Sequence, residues 1–309
     1  MFLFIRLILA ASLLSGCSSW KSLDRKEVVA RYANPDDGSS FIEVLGMQVH
    51  VRDQGRPAKP TLVMIHGISD SLHTWDYWAK QLTRNYRVVR FDVPGFGLTT
   101  NIGTENYSPE FYNKFMQALF DKLEIERAVL VGNSLGGFIS WNFALSNPSR
   151  VNALVLLDPA AYPLTPPWIV RVASSPFRIF AENINLRFMT KDVASDVFYD
   201  DTKLSDEVVD RYHAMFSLEG APKRYMDVFA SINTFSKYEP KNITALSCPV
   251  LLLWGEHDQW ISPKQIDLWK RDVKSVTAKV LAGVGHAPQE EAPKLSLEAA
   301  QDFIDSYAK

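Results

Sequence analysis

The sequence predicts an α/β architecture, a mostly parallel central sheet with helices on both faces. Three observations lead to it. Short apolar runs rich in Val, Leu and Ile alternate with stretches of helical spacing, as expected of strands buried on both faces and joined by crossover helices. Most of these runs stop at turn-forming residues: His66-Gly67, Asp92-Val93-Pro94-Gly95, Gly132, Asp158-Pro159 and Gly255, which punctuate a chain for steric reasons. Residues 162–242 alone break the rhythm and read as an inserted helical cap.

Composition narrows the class. The chain has 309 residues, 47% of them hydrophobic and 22% charged, a globular balance. It excludes a disordered chain, a collagen-like repeat and a polytopic membrane protein. A net charge of −2 leaves no basic excess to neutralise phosphates, so no nucleic-acid partner is expected. The two cysteines, Cys17 and Cys248, cannot form a disulfide-stapled scaffold or a Cys-based zinc site.

Residues 1–16 read as a leader. Arg6 is followed by the apolar run 7–14, far short of the roughly 20 residues that span a bilayer. Small residues follow, the layout of a secretory signal. Leu14-Ser15-Gly16-Cys17 resembles the bacterial lipobox. That resemblance implies acylation of Cys17, anchoring in a membrane of the cell envelope and, with Ser18 rather than Asp next in line, the outer membrane. An ordinary cleaved signal with Cys17 incidental is the alternative. Residues 17–40 are polar and read as a tether, with room for one helix.

The core is expected over 41–161 and 243–309. Residues 41–45 and 47–51 form a hairpin turned at Gly46; further strands are expected at 61–65, 86–91, 128–131, 151–157, 250–254 and 278–281. Ser108-Pro109-Glu110 opens a helix with an N-cap hydroxyl and Pro at the first position. Other helices are expected at 135–145, 263–270 and 293–307. Within 162–242, Phe, Tyr and Met recur at helical spacing. Most of them should form the insertion's own core and a minority should face a pocket.

The chemistry concentrates at Gly132-Asn133-Ser134-Leu135-Gly136. A Gly-x-Ser-x-Gly run between a strand and a helix turns sharply enough to lift the Ser hydroxyl clear, and Gly at both flanks removes side chains that would clash. A serine nucleophile needs a base, and the base needs an orienting acid. Of six histidines, His286 has the right context, in a loop after the last strand. His66 ends a strand before Gly67 and reads as a residue shaping the turn. Asp158 and Asp258 both satisfy the order Ser, acid, His; Asp258 is favoured because its turn is the usual acid loop. Cys248, ahead of an apolar run, reads as a small core residue.

From residue 41 onward the chain resembles α/β-hydrolase-fold enzymes with a helical cap. It is similar to bacterial esterase/lipase and monoacylglycerol-lipase-like members and to the meta-cleavage C–C hydrolases. The matching residues are His66-Gly67, 92–97, Gly132 to Gly136, 255–258 and His286. The resemblance implies a Ser134–His286–Asp258 triad, with an oxyanion hole formed by the backbone N–H groups of Ile68 and Leu135. It implies neither metal nor cofactor. The implied reaction is hydrolysis of a small-molecule carboxylic ester, short-to-medium acyl or monoacylglycerol-like, through an acyl-serine. C–C hydrolysis and true triacylglycerol lipolysis are the alternatives. Epoxide hydrolases and dehalogenases of this fold carry Asp where this chain has Ser134, and binding modules of the fold usually lack a triad member. No obligate protein partner is implied, only the membrane through the lipid anchor.

Overall fold

The computed structural model describes residues 22–100, 106–183, 187–237, 239–240 and 242–309. The leader and Cys17 lie outside these residues. Eight strands form one sheet: β1 (Ser39–Val44), β2 (Met47–Gln54), β3 (Thr61–Ile65), β4 (Arg87–Phe91), β5 (Ala128–Asn133), β6 (Val151–Leu157), β7 (Val250–Gly255) and β8 (Val276–Leu281). The helices are α1 (Arg25–Tyr32), α2 (Asp76–Leu82), α3 (Pro109–Lys122), α4 (Leu135–Ser146), α5 (Trp168–Val172), α6 (Arg178–Asn183), α7 (Arg187–Ser195), α8 (Asp206–Phe216), α9 (Ala221–Phe235), α10 (Gln265–Asp272), α11 (Pro288–Glu291) and α12 (Pro293–Tyr307).

The sheet order is β1-β2-β4-β3-β5-β6-β7-β8. The β1–β2 and β2–β4 pairs are antiparallel, and every pair from β4 to β8 is parallel. Period-two alternation splits the side chains between two cores. Val63, Ile65, Leu130 and Leu252 pack on one face of the sheet, and Leu62, Met64, Val129, Val131, Leu251 and Leu253 on the other. Strands buried on both faces need apolar residues at consecutive positions, which explains the unbroken runs in β5 and β7.

The helices follow the same logic. Ser108 caps α3 by accepting from the Phe111 N–H at 3.2 Å, and Tyr112, Phe115, Met116, Leu119 and Phe120 form its buried stripe. Helix α4 is buried nearly all round, because it runs between the sheet and the cap. After β3 the chain steps to β4 on one side, then back across β3 to β5. A crevice forms at such a reversal, beyond the strand C-termini. His66-Gly67 and Ser134 stand at the ends of the two strands that border it.

The segment before β1 contains the one helix allowed for, but it is docked and does not hang free as a tether. From residue 22 it is folded against the body. Val28 and Tyr32, one helical turn apart, are buried beneath α1, and Asp24 caps that helix. The Leu23 N–H donates to the Ser217 carbonyl at 2.9 Å, and Leu23 pairs with Leu218. The mean polarity of the segment conceals this short apolar stripe.

The helical insertion comprises α5 to α9, between β6 and β7. It is fastened to the core by buried charge. Arg211 of α8 pairs with Glu290 of α11, and the Tyr212 hydroxyl donates to the same carboxylate. Glu291 accepts from the Tyr199 and Asp200 N–H groups at 3.1 and 2.8 Å, and from the Gly285 N–H at 2.6 Å. Replacing Glu290 by Ala takes away the direct partner of the buried Arg211 guanidinium and leaves it only Asp70, 3.9 Å away. The expected cost is about 3–5 kcal/mol, read as a lower denaturant midpoint with cleavage inside the cap in limited proteolysis.

Candidate active site

Ser134 follows β5 and precedes α4 with φ 53° and ψ −113°, a conformation that L residues avoid. The turn exists only because its neighbours lack side chains. A Cβ on Gly132 would lie 2.4 Å from the Gly136 carbonyl oxygen, and one on Gly136 would lie 2.1 Å from that of Ile65. The result puts Ser134 at the first turn of α4, where the Leu135 N–H has no helical acceptor.

His286 lies in the loop between β8 and α11. Its Nδ1–H donates to Asp258 Oδ2 at 2.8 Å, and both side chains are buried. With Nδ1 engaged by Asp258, Nε2 is the ring nitrogen left to face the cavity shared with Ser134. Nε2 is buried and makes no hydrogen bond of its own. Asp258 Oδ1 accepts the Trp260 and Ile261 N–H groups at 2.8 and 2.9 Å, so the carboxylate is held from both oxygens. The indole of Trp260 packs on the imidazole, with ring centroids 5.3 Å apart.

The competing acid, Asp158, is not bonded to His286. It ends β6 at φ 47°, and its Oδ1 accepts the Gly255 N–H at 2.8 Å. Burial, reinforced by the nearby Asp258 charge, pushes its carboxyl well above the usual range. Asp158 therefore holds its proton more tightly than an ordinary aspartate. Asp158, Asp258 and His286 bring their donor atoms within 4.8 Å of one another.

The loop after β3 approaches from the other side. A Cβ on Gly67 would meet Asn133 Oδ1 at 2.8 Å and the Ser134 Cβ at 3.2 Å. His66 is fully buried; its Nδ1–H donates to the Gly67 carbonyl at 2.7 Å, and its Nε2 accepts the Val93 N–H at 2.9 Å. Burial lowers its pKa to about 4, so it stays neutral. Because a trans peptide points its C=O and N–H in opposite directions, anchoring the Gly67 carbonyl also orients the Ile68 N–H.

Two contributors were invisible at the level of motifs. The Asn133 amide donates to the Leu157 and His286 carbonyls at 3.2 and 3.0 Å, tying the Ser134 turn to the His286 loop. Glu291 holds that loop through Gly285. Asn133 occupies a variable position of the Gly-x-Ser-x-Gly pattern, and no local signal marks Glu291. The other histidines stand apart from the site. His50 pairs with buried Asp92 at 2.8 Å, and His257 stacks on Tyr199.

Ser134 and His286 both border two cavities. The larger, about 130 Å³, is walled by Ile68, Trp168, Met189, Val193, Met226 and Phe229, among others. The smaller, about 50 Å³, lies towards Phe138, Leu164, Ile232 and Phe235. The cap thus supplies most of an apolar roof. A hydroxyl on a strained turn, an imidazole with a free Nε2, a held carboxylate and two backbone N–H donors form a set capable of acyl transfer.

The profile of the alpha/beta hydrolase fold family matches residues 60–293. The chain belongs to that family. The Bacillus subtilis hydrolase YugF is 28% identical over 84% of this chain and 95% of its own length. Mouse monoacylglycerol lipase ABHD6 is 26% identical over 85% of this chain and 84% of its own. A crystal structure of a bacterial membrane phospholipase A superposes with a TM-score of 0.77 at 22% identity, covering 99% of this chain and 97% of that one. Other relatives in the family are named as epoxide hydrolases and as 2-hydroxy-6-oxononadienedioate hydrolases.

The two acidic residues are expected to separate kinetically. Asp258→Asn removes the acceptor that sets the His286 tautomer and should cost on the order of 10⁴ in kcat. Asp158→Asn keeps a side-chain oxygen that can still accept the Gly255 N–H and leaves the Asp258–His286 bond in place, and should cost less than about tenfold. A larger loss for Asp158→Asn, with folding intact, would reverse the assignment.

Proposed function

We propose that this protein hydrolyses carboxylic esters of small molecules, with short-to-medium acyl or monoacylglycerol-like substrates, through an acyl-enzyme on Ser134. The observation that carries the reading is the buried His286, held by Asp258 through Nδ1, with its unpartnered Nε2 in a cavity wall shared with Ser134.

Nε2 takes the hydroxyl proton as Oγ attacks the carbonyl carbon. Charge on the carbonyl oxygen is met by the Ile68 and Leu135 N–H groups; losing one donor of this kind typically costs ~10²–10³ in rate. Asp258 stabilises the imidazolium. The proton then passes to the leaving alkoxide, the alcohol departs, and water repeats the sequence on the acyl-serine. The two cavities suit the two sides of an ester. The larger is similar in size to a cavity of roughly 150 Å³ that takes up benzene, which favours compact acyl groups over long ones.

The nucleophile separates this reading from epoxide hydrolysis, since Ser134 stands where those relatives carry Asp. C–C hydrolysis would use the same three side chains. The export leader argues against it, because a meta-cleavage substrate is a cytoplasmic intermediate. Acylation of Cys17 and residence at the outer membrane complete the proposal.

Rates for dissolved p-nitrophenyl esters should peak at short-to-medium acyl length and fall for palmitate. Ser134→Ala should lose phosphonate labelling and on the order of 10⁶ in kcat. Preference for emulsified triolein would replace the bounded cavity with an opening lid, and turnover of a meta-cleavage substrate without ester turnover would overturn ester hydrolysis. For the anchor, Cys17→Ser should abolish metabolic palmitate labelling and accumulate with its leader uncleaved; an unlabelled, soluble wild-type chain would refute it.

A further inference from the structure

We infer that the outer face of the cap is the surface this protein turns towards a lipid bilayer, so that the anchor and the cap engage the same membrane. The inference rests on the anchoring proposed above and extends it.

Phe177, Ile179, Phe180 and Phe188 are 42, 63, 46 and 58% exposed, all in the short stretch around α6 and the start of α7. Isolated apolar residues on a surface are ordinary, but a cluster of large ones marks a contact site. Helix α6 buries none of its residues, so Ile179 and Phe180 have no place in the protein's own core.

The two arginines beside this face are already paired, while Lys191 of α7 is exposed and makes no ion pair among the described residues. Arg178 pairs with Glu182 and Asp227 at 2.6 and 2.5 Å, and Arg187 with Asp210 and Asp206 at 2.6 and 3.1 Å. An acidic protein partner would find few unpaired cations here. An acyl-chain boundary needs none, and long basic side chains can lie along it with their charged ends in water.

The path of the chain selects a bilayer as the occupant. Residue 23 is bonded to Ser217 and Leu218, in the turn between α8 and α9, so the chain enters the fold on the cap. Cys17 is six residues upstream of Leu23, a contour of at most about 20 Å. A lipid on Cys17 therefore holds the α8–α9 turn close to the membrane. Asp227, the partner of Arg178 on α6, lies six residues into α9, about 9 Å along its axis. The exposed apolar residues of α6 are thus linked, through Arg178 and Asp227, to the helix that begins at the tethered turn.

The inner sides of the same helices reach the site. Ala181 of α6 and Met189, Val193 and Ala194 of α7 line the cavity that holds Ser134. An amphiphilic ester leaving the bilayer would cross one helical layer to reach the nucleophile.

The test uses full-length lipidated protein in phosphatidylethanolamine–phosphatidylglycerol vesicles, with an environment-sensitive dye on Ile179→Cys, Phe188→Cys or, as control, Glu298→Cys on α12, where the native side chain is 63% exposed. Burial raises the Cys248 thiol to about 11, so it competes little for dye at neutral pH. Lipids carrying a shallow doxyl group should quench the two cap positions about twofold or more, since interfacial side chains sit some 5–10 Å into the headgroup boundary, and should leave position 298 unchanged. Flotation and dye uptake by the unsubstituted chain report anchoring separately. Unquenched cap probes on floating protein overturn the cap assignment while the anchor stands. Protein that fails to float refutes the anchor; cap quenching on added vesicles would still support the surface, and its absence would overturn it. In a second arm, Ile179→Ser with Phe188→Ser should keep its rate on a dissolved ester, which controls for folding, and lose about tenfold on monoacylglycerol held in vesicles. Equal rates on vesicle-held substrate would count against the proposal.

Discussion

The strained turn at Ser134 is the constraint on which the rest depends. At φ 53° and ψ −113° the residue is in a conformation that costs of order 1–3 kcal/mol and persists only where the surroundings over-determine it. Those surroundings are visible. The Ser134 N–H donates to the Leu157 carbonyl at 3.0 Å, and its own carbonyl accepts the Phe138 and Ala160 N–H groups at 3.0 and 3.2 Å. Three glycines then let the neighbouring backbone close in, Gly132 and Gly136 within the turn and Gly67 across from it. Any side chain at these points would move the hydroxyl or the oxyanion donors, so sequence freedom is smallest where positional accuracy matters most.

The electrostatics follow from the same crowding. Two carboxyl groups and an imidazole share a buried corner, and both carboxyls cannot carry full charge there. The backbone decides between them. Asp258 receives two N–H donors and the imidazole N–H, whereas Asp158 receives one N–H and leaves Oδ2 without a partner. Asp158, the less well bonded of the two, is the one whose carboxyl is pushed above the usual range. Asp258 is thus held opposite Nδ1, and Nε2 is left facing the cavity. On the opposite side of the site His66 stays neutral for a related reason, since each ring nitrogen has one partner and burial disfavours a second proton.

Legibility followed the range of the interactions. The inner strands were readable because burial on both faces writes an apolar run into contiguous residues, the half-exposed edge strands β1 and β8 because turn residues bound them, and Ser134 because glycine at fixed offsets is a local steric requirement. His286 and Asp258 could be named from the ends of two strands, since β7 and β8 are neighbours. Asn133 could not, because its role is to reach a carbonyl 153 residues away. The Arg211–Glu290 fastening, 79 residues apart, depends on how the cap sits and leaves no local trace. The segment before β1 misled for the opposite reason. Its average polarity is real, but two residues one turn apart, Val28 and Tyr32, suffice to dock a helix.

The cap must then satisfy demands that conflict. Its inner side has to be apolar to form the cavity, and apolar helices on a small insertion cannot all turn inward. In α8 and α9 the conflict is resolved by a broad buried face, with Val209, Met215, Tyr225, Met226 and Phe229 packed away. In α6 and the first turn of α7 it is not, and Ile179, Phe180 and Phe188 remain in solvent. The hydrophobic effect penalises that exposure by about 25 cal/mol per Å², and polar residues at these positions would remove the penalty without touching the cavity wall at Ala181 or Met189. Apolar side chains there are costly for a protein surrounded by water and favourable for one held against a lipid surface.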